Sequence, residues 1–310
     1  MTMLASNRRD FLRTVIGGAA GLAFSDRAFG QGAPASLAVT RLSDNLVEIT
    51  GAGSNVLVVL GSDGLLMVDG GLPDRSADLL KTIGGLSPAP VRVLFNTHWH
   101  LDHTGSNEAL GKAGAKIVAH QNTKRWLTAN VFVEAQNRRY QPQPAEAVPT
   151  ETITAPGKMT FGNEQIEYAP LPPAHTNGDI YVFLPGPNLL MASDILSVGR
   201  YPIMDYSTGG WIGGMIDAAN ALLKIADANT RIVPGAGPVQ AKGDLQAQRD
   251  MLVAVKERVQ TMIRQGKGLP DLMAEAPTKE FDQKWGKPDL FLSMTYTGMI
   301  RHTHEIGGIL

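Results

Sequence analysis

Residues 96–105 read NTHWHLDHTG, which places His98, His100, Asp102 and His103 within six positions. Burying so many neutral imidazoles beside a carboxylate is costly unless a cation collects them, so this spacing points to a metal centre rather than to a polar turn. The chain contains no cysteine, and any metal site must be built from His, Asp and Glu. The cluster follows VRVLF (91–95), a β-branched run that predicts one buried strand. At the end of that strand, alternation puts His98 and His100 on the same side. A turn into a helix starting near Thr104 brings Asp102 and His103 round to a neighbouring point. Such an arrangement can hold two metal ions side by side.

The elements that must carry these residues are legible on both sides of the cluster. From Leu37 to Asp69, the apolar runs LAVTRL, NLVEIT, NVLVVL and LLMVD are separated by Gly, Ser, Asp and Asn, the pattern of successive antiparallel strands, with SDG at 62–64 as a hairpin turn. Helical spacing over Pro73–Ile83, the strand at 91–95, and further alternation through Asn107–Ala113, Lys116–Ala119 and Asn122–Ala129 follow. QPQPAEAVP (141–149) is too proline-rich for either element and reads as an exposed loop. The second half repeats the order. Strands in MTFGNEQIEYAPL, DIYVFL and NLLMAS precede a Gly-rich, aromatic loop from Ser197 to Gly214, a helix to Ala226, the short strand RIV and a long helix from Gly243 to Arg264. Strands followed by helix–strand alternation, twice over, predict an α/β (α+β) protein whose two sheets pack face to face with helices outside, a four-layer αββα sandwich. The tail from Gly268 has no strand pattern and is expected to pack across one edge as a helical extension (267–310) of a catalytic domain spanning 31–266.

The hexapeptide HxHxDH closely resembles the signature of the metallo-β-lactamase-fold hydrolases, and the resemblance extends along most of the chain after residue 30. It implies the same αββα sandwich, with the site at one edge of the two sheets. In that family a third His of the first metal site lies on a loop like APLPPAHTNGD, which His175 matches, and a bridging acid ends the following strand, which MASDI matches with Asp194. The resemblance thus assigns His98, His100 and His175 to one zinc ion and Asp102, His103 and Asp194 to the other. A zinc held by three neutral imidazoles lowers the pKa of its water from 15.7 to about 7. The expected reaction is hydrolysis of an acyl or related bond, the attack steered by Asp102 as the catalytic carboxylate. An exported location favours a small amide, lactone or ester, β-lactams included. Two other classes stand beside this one: a metal-binding or scavenging protein with weakened catalysis, and an iron-dependent redox member of the same fold.

One position departs from the family pattern. The sixth protein ligand is usually a His in a Pro-Gly-His-Gly turn, and here RIVPGAGPV (231–239) carries Ala236 in that place. The first site keeps three imidazoles with an open position for water. The second loses a neutral donor. Three outcomes are open: a weaker second ion with water in place of the His, a mononuclear enzyme, or a ligand borrowed from elsewhere, with His302 and His304 in RHTHE as candidates. One tightly bound zinc, the second weaker or absent, is the expected cofactor content. His120 in IVAHQNT reads as a helix-start or packing residue. Asp69, closing LLMVDGG, reads either as an acceptor orienting a ligand imidazole or as a carboxylate opening a turn. Tyr201, Tyr206 and Trp211 either line a substrate groove or pack under their loop.

Composition and the N-terminus bound the setting. At 310 residues, 43% hydrophobic and 18% charged, the chain can bury a sizeable core. A formal net charge of −1 gives no reason to expect nucleic acid or an anionic membrane as partner, and a small-molecule substrate fits. The stretch NRRDFLR (7–13), a short apolar run from Val15 to Phe24 and Ala28-Phe29-Gly30 read as a twin-arginine-type signal peptide over 1–30. About ten apolar residues are too few for a stable membrane anchor. The expected location is the periplasm or another exported compartment, and the oligomeric state is left open.

Overall fold

The period-two apolar pattern after residue 37 becomes an antiparallel meander of β1 (Ala38–Arg41), β2 (Leu46–Thr50), β3 (Val56–Leu60) and β4 (Leu65–Val68). The computed structural model describes residues 36–305, so the expected signal segment lies outside the described residues. The chain continues through α1 (Ser76–Leu86), β5 (Val91–Asn96), α2 (Leu101–Thr104), α3 (Asn107–Lys112), β6 (Lys116–His120) and α4 (Gln121–Leu127). A hairpin of β7 (Val131–Val133) and β8 (Arg138–Tyr140) and the short β9 (Glu151–Ile153) close the first half. The second half opens with another meander, β10 (Gly157–Phe161), β11 (Glu164–Pro170), β12 (Ile180–Leu184) and β13 (Leu189–Ser193). Then come α5 (Ile212–Ile225), β14 (Arg231–Pro234), α6 (Lys242–Arg264), α7 (Leu269–Glu275), α8 (Asp282–Trp285) and α9 (Asp289–Glu305).

The strands form a seven-stranded sheet, β1-β2-β3-β4-β5-β6-β9, and a five-stranded sheet, β10-β11-β12-β13-β14. In each, an antiparallel meander is extended by parallel strands, β5, β6 and β9 in the first and β14 in the second. Parallel neighbours need a crossover, and the crossovers supply the outer helices. The space between the sheets is filled by side chains from both, among them Leu57, Val68 and Phe95 from one and Ile166, Val182 and Met191 from the other. The alternate positions of the first sheet, such as Val58, Met67 and Leu94, bury against Leu79 and Ile83 of α1 and Leu110 of α3. Helices α5 and α6 pack on each other, and α5 lies in the crossover from β13 to β14 of the second sheet. The αββα sandwich read from the sequence is the architecture observed.

The described part of the tail contains three helices and belongs to the same compact unit as the sheets. Helix α9 packs on α5, α6 and α7 and on the 3-10 turn at Tyr206–Thr208. Among the described residues no helix is long and apolar enough to cross a membrane. Two local expectations shift. The helix after the His cluster begins at Leu101, so Asp102 and His103 sit within its single turn rather than in a turn before it. The 141–149 stretch is a loop interrupted by one 3-10 turn, Ala145–Ala147.

Candidate metal centre

Strand β5 ends at Asn96, and the four residues after it deliver His98 and His100 to the edge of the sandwich. His175 arrives on the loop between β11 and β12, held by Asp179, which accepts from the Thr176 backbone N–H at 2.9 Å and from the Thr176 hydroxyl at 2.6 Å. Asp194 follows β13, where Ser193 takes a left-handed φ of 50° at a register shift against β14. Such a conformation in a residue with a Cβ is costly and is held only by its surroundings. Here it turns the chain so that Asp194 faces the histidines.

The hydrogen bonds decide which nitrogen each imidazole presents. Thr97 donates its hydroxyl proton to Asp69 at 2.8 Å, leaving its oxygen to accept from His98 Nδ1–H at 3.2 Å. His98 Nε2 is then buried with no hydrogen-bond partner. His100 donates from Nε2 to Asp205 at 3.1 Å, and His175 donates from Nδ1 to the Ile203 carbonyl at 2.8 Å. Their remaining nitrogens, His100 Nδ1 and His175 Nε2, face each other at 2.9 Å. Two lone pairs approach that closely only with a proton or a cation between them. The open nitrogens of His98, His100 and His175 all lie within 4.8 Å of one another. An unpartnered buried nitrogen costs about 1–3 kcal/mol, so the donor set fits a resident cation.

A second group of donors, His98, His103 and Asp194, also lies within 4.8 Å of one another. His103 donates from Nδ1 to Asp69 at 2.8 Å, and its Nε2 faces Asp194 Oδ1 at 3.5 Å and Asp102 Oδ2 at 3.7 Å. Asp194 Oδ2 reaches His175 Nε2 at 3.4 Å, so this carboxylate spans both groups. Asp102 stands at the open side, its side chain 23% exposed.

Electrostatics repeat the pattern. Burial, reinforced by the neighbouring His103, His175 and His100, pushes His98 well below the usual imidazole range. Burial also opposes charge on His103, but Asp69, Asp102 and Asp194 prevail and hold it well above that range. His100 is raised, the Asp205 contact overcoming its burial. Asp194 is buried too, yet His175 and His103 hold it well below the carboxylate range. The carboxylates call for positive charge, and the imidazoles crowd one another when they supply it as protons.

Of the residues singled out in the sequence, His98, His100, Asp102, His103, His175 and Asp194 are brought together. Asp69 is the acceptor that orients His103; it is fully buried, with a left-handed φ of 65°. His120 caps α4, its Nδ1 accepting from the Asn122 N–H at 3.0 Å. His302 stacks on Trp211 with ring centroids 3.6 Å apart, and His304 is exposed. Neither joins the two donor groups found among the described residues. Tyr201 packs under the loop, stacked on Phe291 at 4.7 Å, rather than lining a groove. Asp205 was not legible as a site residue: it begins a DYST turn and accepts from the Ser207 N–H, and a capping aspartate in a loop carries no sequence mark of a histidine partner.

Ala236 occupies the turn after β14. Asn55 clamps that turn, its backbone N–H donating to the Gly235 carbonyl at 2.7 Å and its side chain to the Pro234 and Gly237 carbonyls at 3.1 and 2.7 Å. Gly235 is required where it stands, because a Cβ there would lie 1.6 Å from Asp194 Oδ1. The turn is thus pressed against the bridging carboxylate, and its next residue is an alanine with no donor to offer.

The model of the metallo-beta-lactamase superfamily matches residues 49–256. The chain belongs to this superfamily. Solved structures agree on the fold: a metallo-beta-lactamase from Pontibacter korlensis superposes with a TM-score of 0.59 at 22% identity, covering 70% of this chain and 99% of that one. Metallo-beta-lactamase IND-7 gives 0.56 at 19% identity over 72% and 100%. The stereoselective inverting sec-alkylsulfatase Pisa1 from Pseudomonas sp. gives 0.63 at 15% identity over 88% of this chain, which spans 55% of that protein. The metallo-beta-lactamase superfamily supplies metal-dependent hydrolases in general, and its fold binds metal ions, typically zinc. The histidine cluster of this chain is compatible with both.

Proposed function

We infer that this superfamily member is a zinc-dependent hydrolase acting on an amide, lactone or ester bond of a small molecule in an exported compartment. The observation that carries the reading is the unpartnered His98 Nε2, buried where the open nitrogens of His100 and His175 converge. Those three residues would hold the first ion; His103, Asp194 and Asp102 would hold a weaker second one. A zinc ion there supplies a strong nucleophile from water at neutral pH and polarises the scissile carbonyl.

The protein's own groups do the rest. Asp205, Thr97 and the Ile203 carbonyl fix the tautomers of the three imidazoles, so that no ligand has to reorient. Asp69 holds His103 with its Nε2 toward Asp194. Asp102, partly exposed to solvent beside His103, is placed to take the proton from an attacking water at its Oδ2. The test is a substrate panel of a chromogenic cephalosporin, a p-nitrophenyl ester, an aromatic lactone and a secondary alkyl sulfate, assayed after chelation and again after zinc is returned. Zinc-restored turnover of an acyl substrate, lost in Asp102→Asn with first-site zinc retained, supports the reading. Turnover of the sulfate ester alone would reassign the substrate class.

A further inference from the structure

Beside the Pro234–Gly237 turn, the structure contains a cavity of about 670 Å³ walled by Glu48, Ser54, Thr40, Thr50, Ala236 and Val239 among others. Its position follows from the strand pattern. Leu46 of β2 faces the space between the sheets, and Glu48, two residues on in the middle of the strand, takes the same side and pairs with the core residue Leu57 of β3. A carboxylate is a poor choice there. Glu48 is 5% exposed and Ser54 2% exposed, and both Glu48 Oε1 and Ser54 Oγ are buried without a hydrogen-bond partner. Burial raises the Glu48 carboxyl above its ordinary range, with no charged neighbour among the described residues contributing. Two orphaned polar groups on one cavity, one of them ionisable, mark a site shaped for something that brings its own donors.

The cavity's size separates the candidate ligands. A bare cation would be lost in it, whereas pockets of about 300–1,000 Å³ suit small organic groups. An organic ammonium group donates hydrogen bonds and charge together, which is what an uncompensated carboxyl and a free hydroxyl lack. We propose that the Glu48–Ser54 cavity is a binding site for an organic ammonium group. Ala236 forms part of its wall, so the residue that withholds a metal donor also leaves the cavity open; a larger side chain at 236 takes volume from it. On the hydrolase reading, the ammonium group is the part of the substrate remote from the scissile bond.

The test needs no turnover. Benzylammonium, benzyl alcohol and benzoate are titrated into the full chain by calorimetry. Benzylammonium is expected to bind at least about tenfold more tightly than benzyl alcohol, the scale of one charge-assisted hydrogen bond, and benzoate not at all. Glu48→Gln is expected to remove that preference, and Ala236→Leu to fill part of the cavity while the carboxylate stays in place. Equal affinity for the charged and neutral probes, or a benzylammonium affinity unchanged in both variants, overturns the proposal. Because the readout is binding, an inactive protein that still prefers benzylammonium refutes the hydrolase reading and leaves this site standing.

Discussion

Asp205 accepts a hydrogen bond from His100 Nε2 at 3.1 Å, and that contact determines that His100 turns Nδ1, not Nε2, toward His175. Asp69 likewise holds His103 through Nδ1 at 2.8 Å, which leaves Nε2 toward Asp194. Carboxylates behind ligand imidazoles fix ring orientation and raise basicity, and their loss typically costs about 10–100-fold in metal affinity. Asp205→Ala is expected to weaken zinc binding on that scale and to lower turnover with it. Asp205→Asn, which keeps an acceptor without the charge, should fall between. Competition with a zinc-binding dye measures both; unchanged affinity in Asp205→Ala would mean that His100 is held by other contacts.

The Ala236 turn makes a stoichiometric prediction. Under limiting zinc the natural protein should carry close to one ion per chain, filling the His98, His100 and His175 site first. Ala236→His should raise the affinity for a second ion at least as much as an outer-shell change alters it, about 10–100-fold. Native mass spectrometry counts the ions directly. Two tightly held ions in the natural protein, lost in His302→Ala, would instead indicate a ligand from α9, against the stacking of His302 on Trp211.

Glu48 gives a pH dependence of stability. Its folded-state pKa lies above the ordinary value of 4.5, so between the two values the folded chain holds more protons than the unfolded one. Stability contributed here is therefore full at low pH and falls as pH rises from about 4.5 through the folded value. Glu48→Gln should be more stable than the natural protein at neutral pH, with the difference shrinking in acid. Thermal melts across that range check it; a variant melting lower at pH 7 would mean that the carboxylate is paired.

How much of this was legible in the sequence depended on the range of the forces involved. Strand and helix patterns follow from local periodicity, and HWHLDH places four candidate site residues within one short segment, so the sandwich and four of the six site positions could be read directly. His175 and Asp194 rested on the family resemblance, because nothing local distinguishes a His in a proline-rich loop from a surface residue. Asp205 and Glu48 were out of reach: one is a turn-capping aspartate and the other a single acid in a strand that is apolar on both faces. Their roles arise only when distant segments fold against them. Hairpin β7–β8 escaped for another reason, since strands of three residues are too short to show alternation.

The N-terminal segment predicts export. A protein beginning near Gln31 should be recovered from the periplasm, whereas Arg8→Lys combined with Arg9→Lys should leave an active enzyme in the cytoplasm. Fractionation followed by N-terminal sequencing measures this. Periplasmic accumulation of the double variant would rule out twin-arginine export.

Metal removal tests the central claim most directly. The full chain is stripped with a chelator, zinc is titrated back, and bound ions and hydrolysis of a responsive panel substrate are followed in the same sample. The expected result is loss of turnover on stripping and its full return at about one zinc per chain, with neither zinc binding nor activity recovered in His98→Ala. Undiminished hydrolysis by the stripped protein, or zinc binding in His98→Ala equal to that of the natural chain, would contradict it.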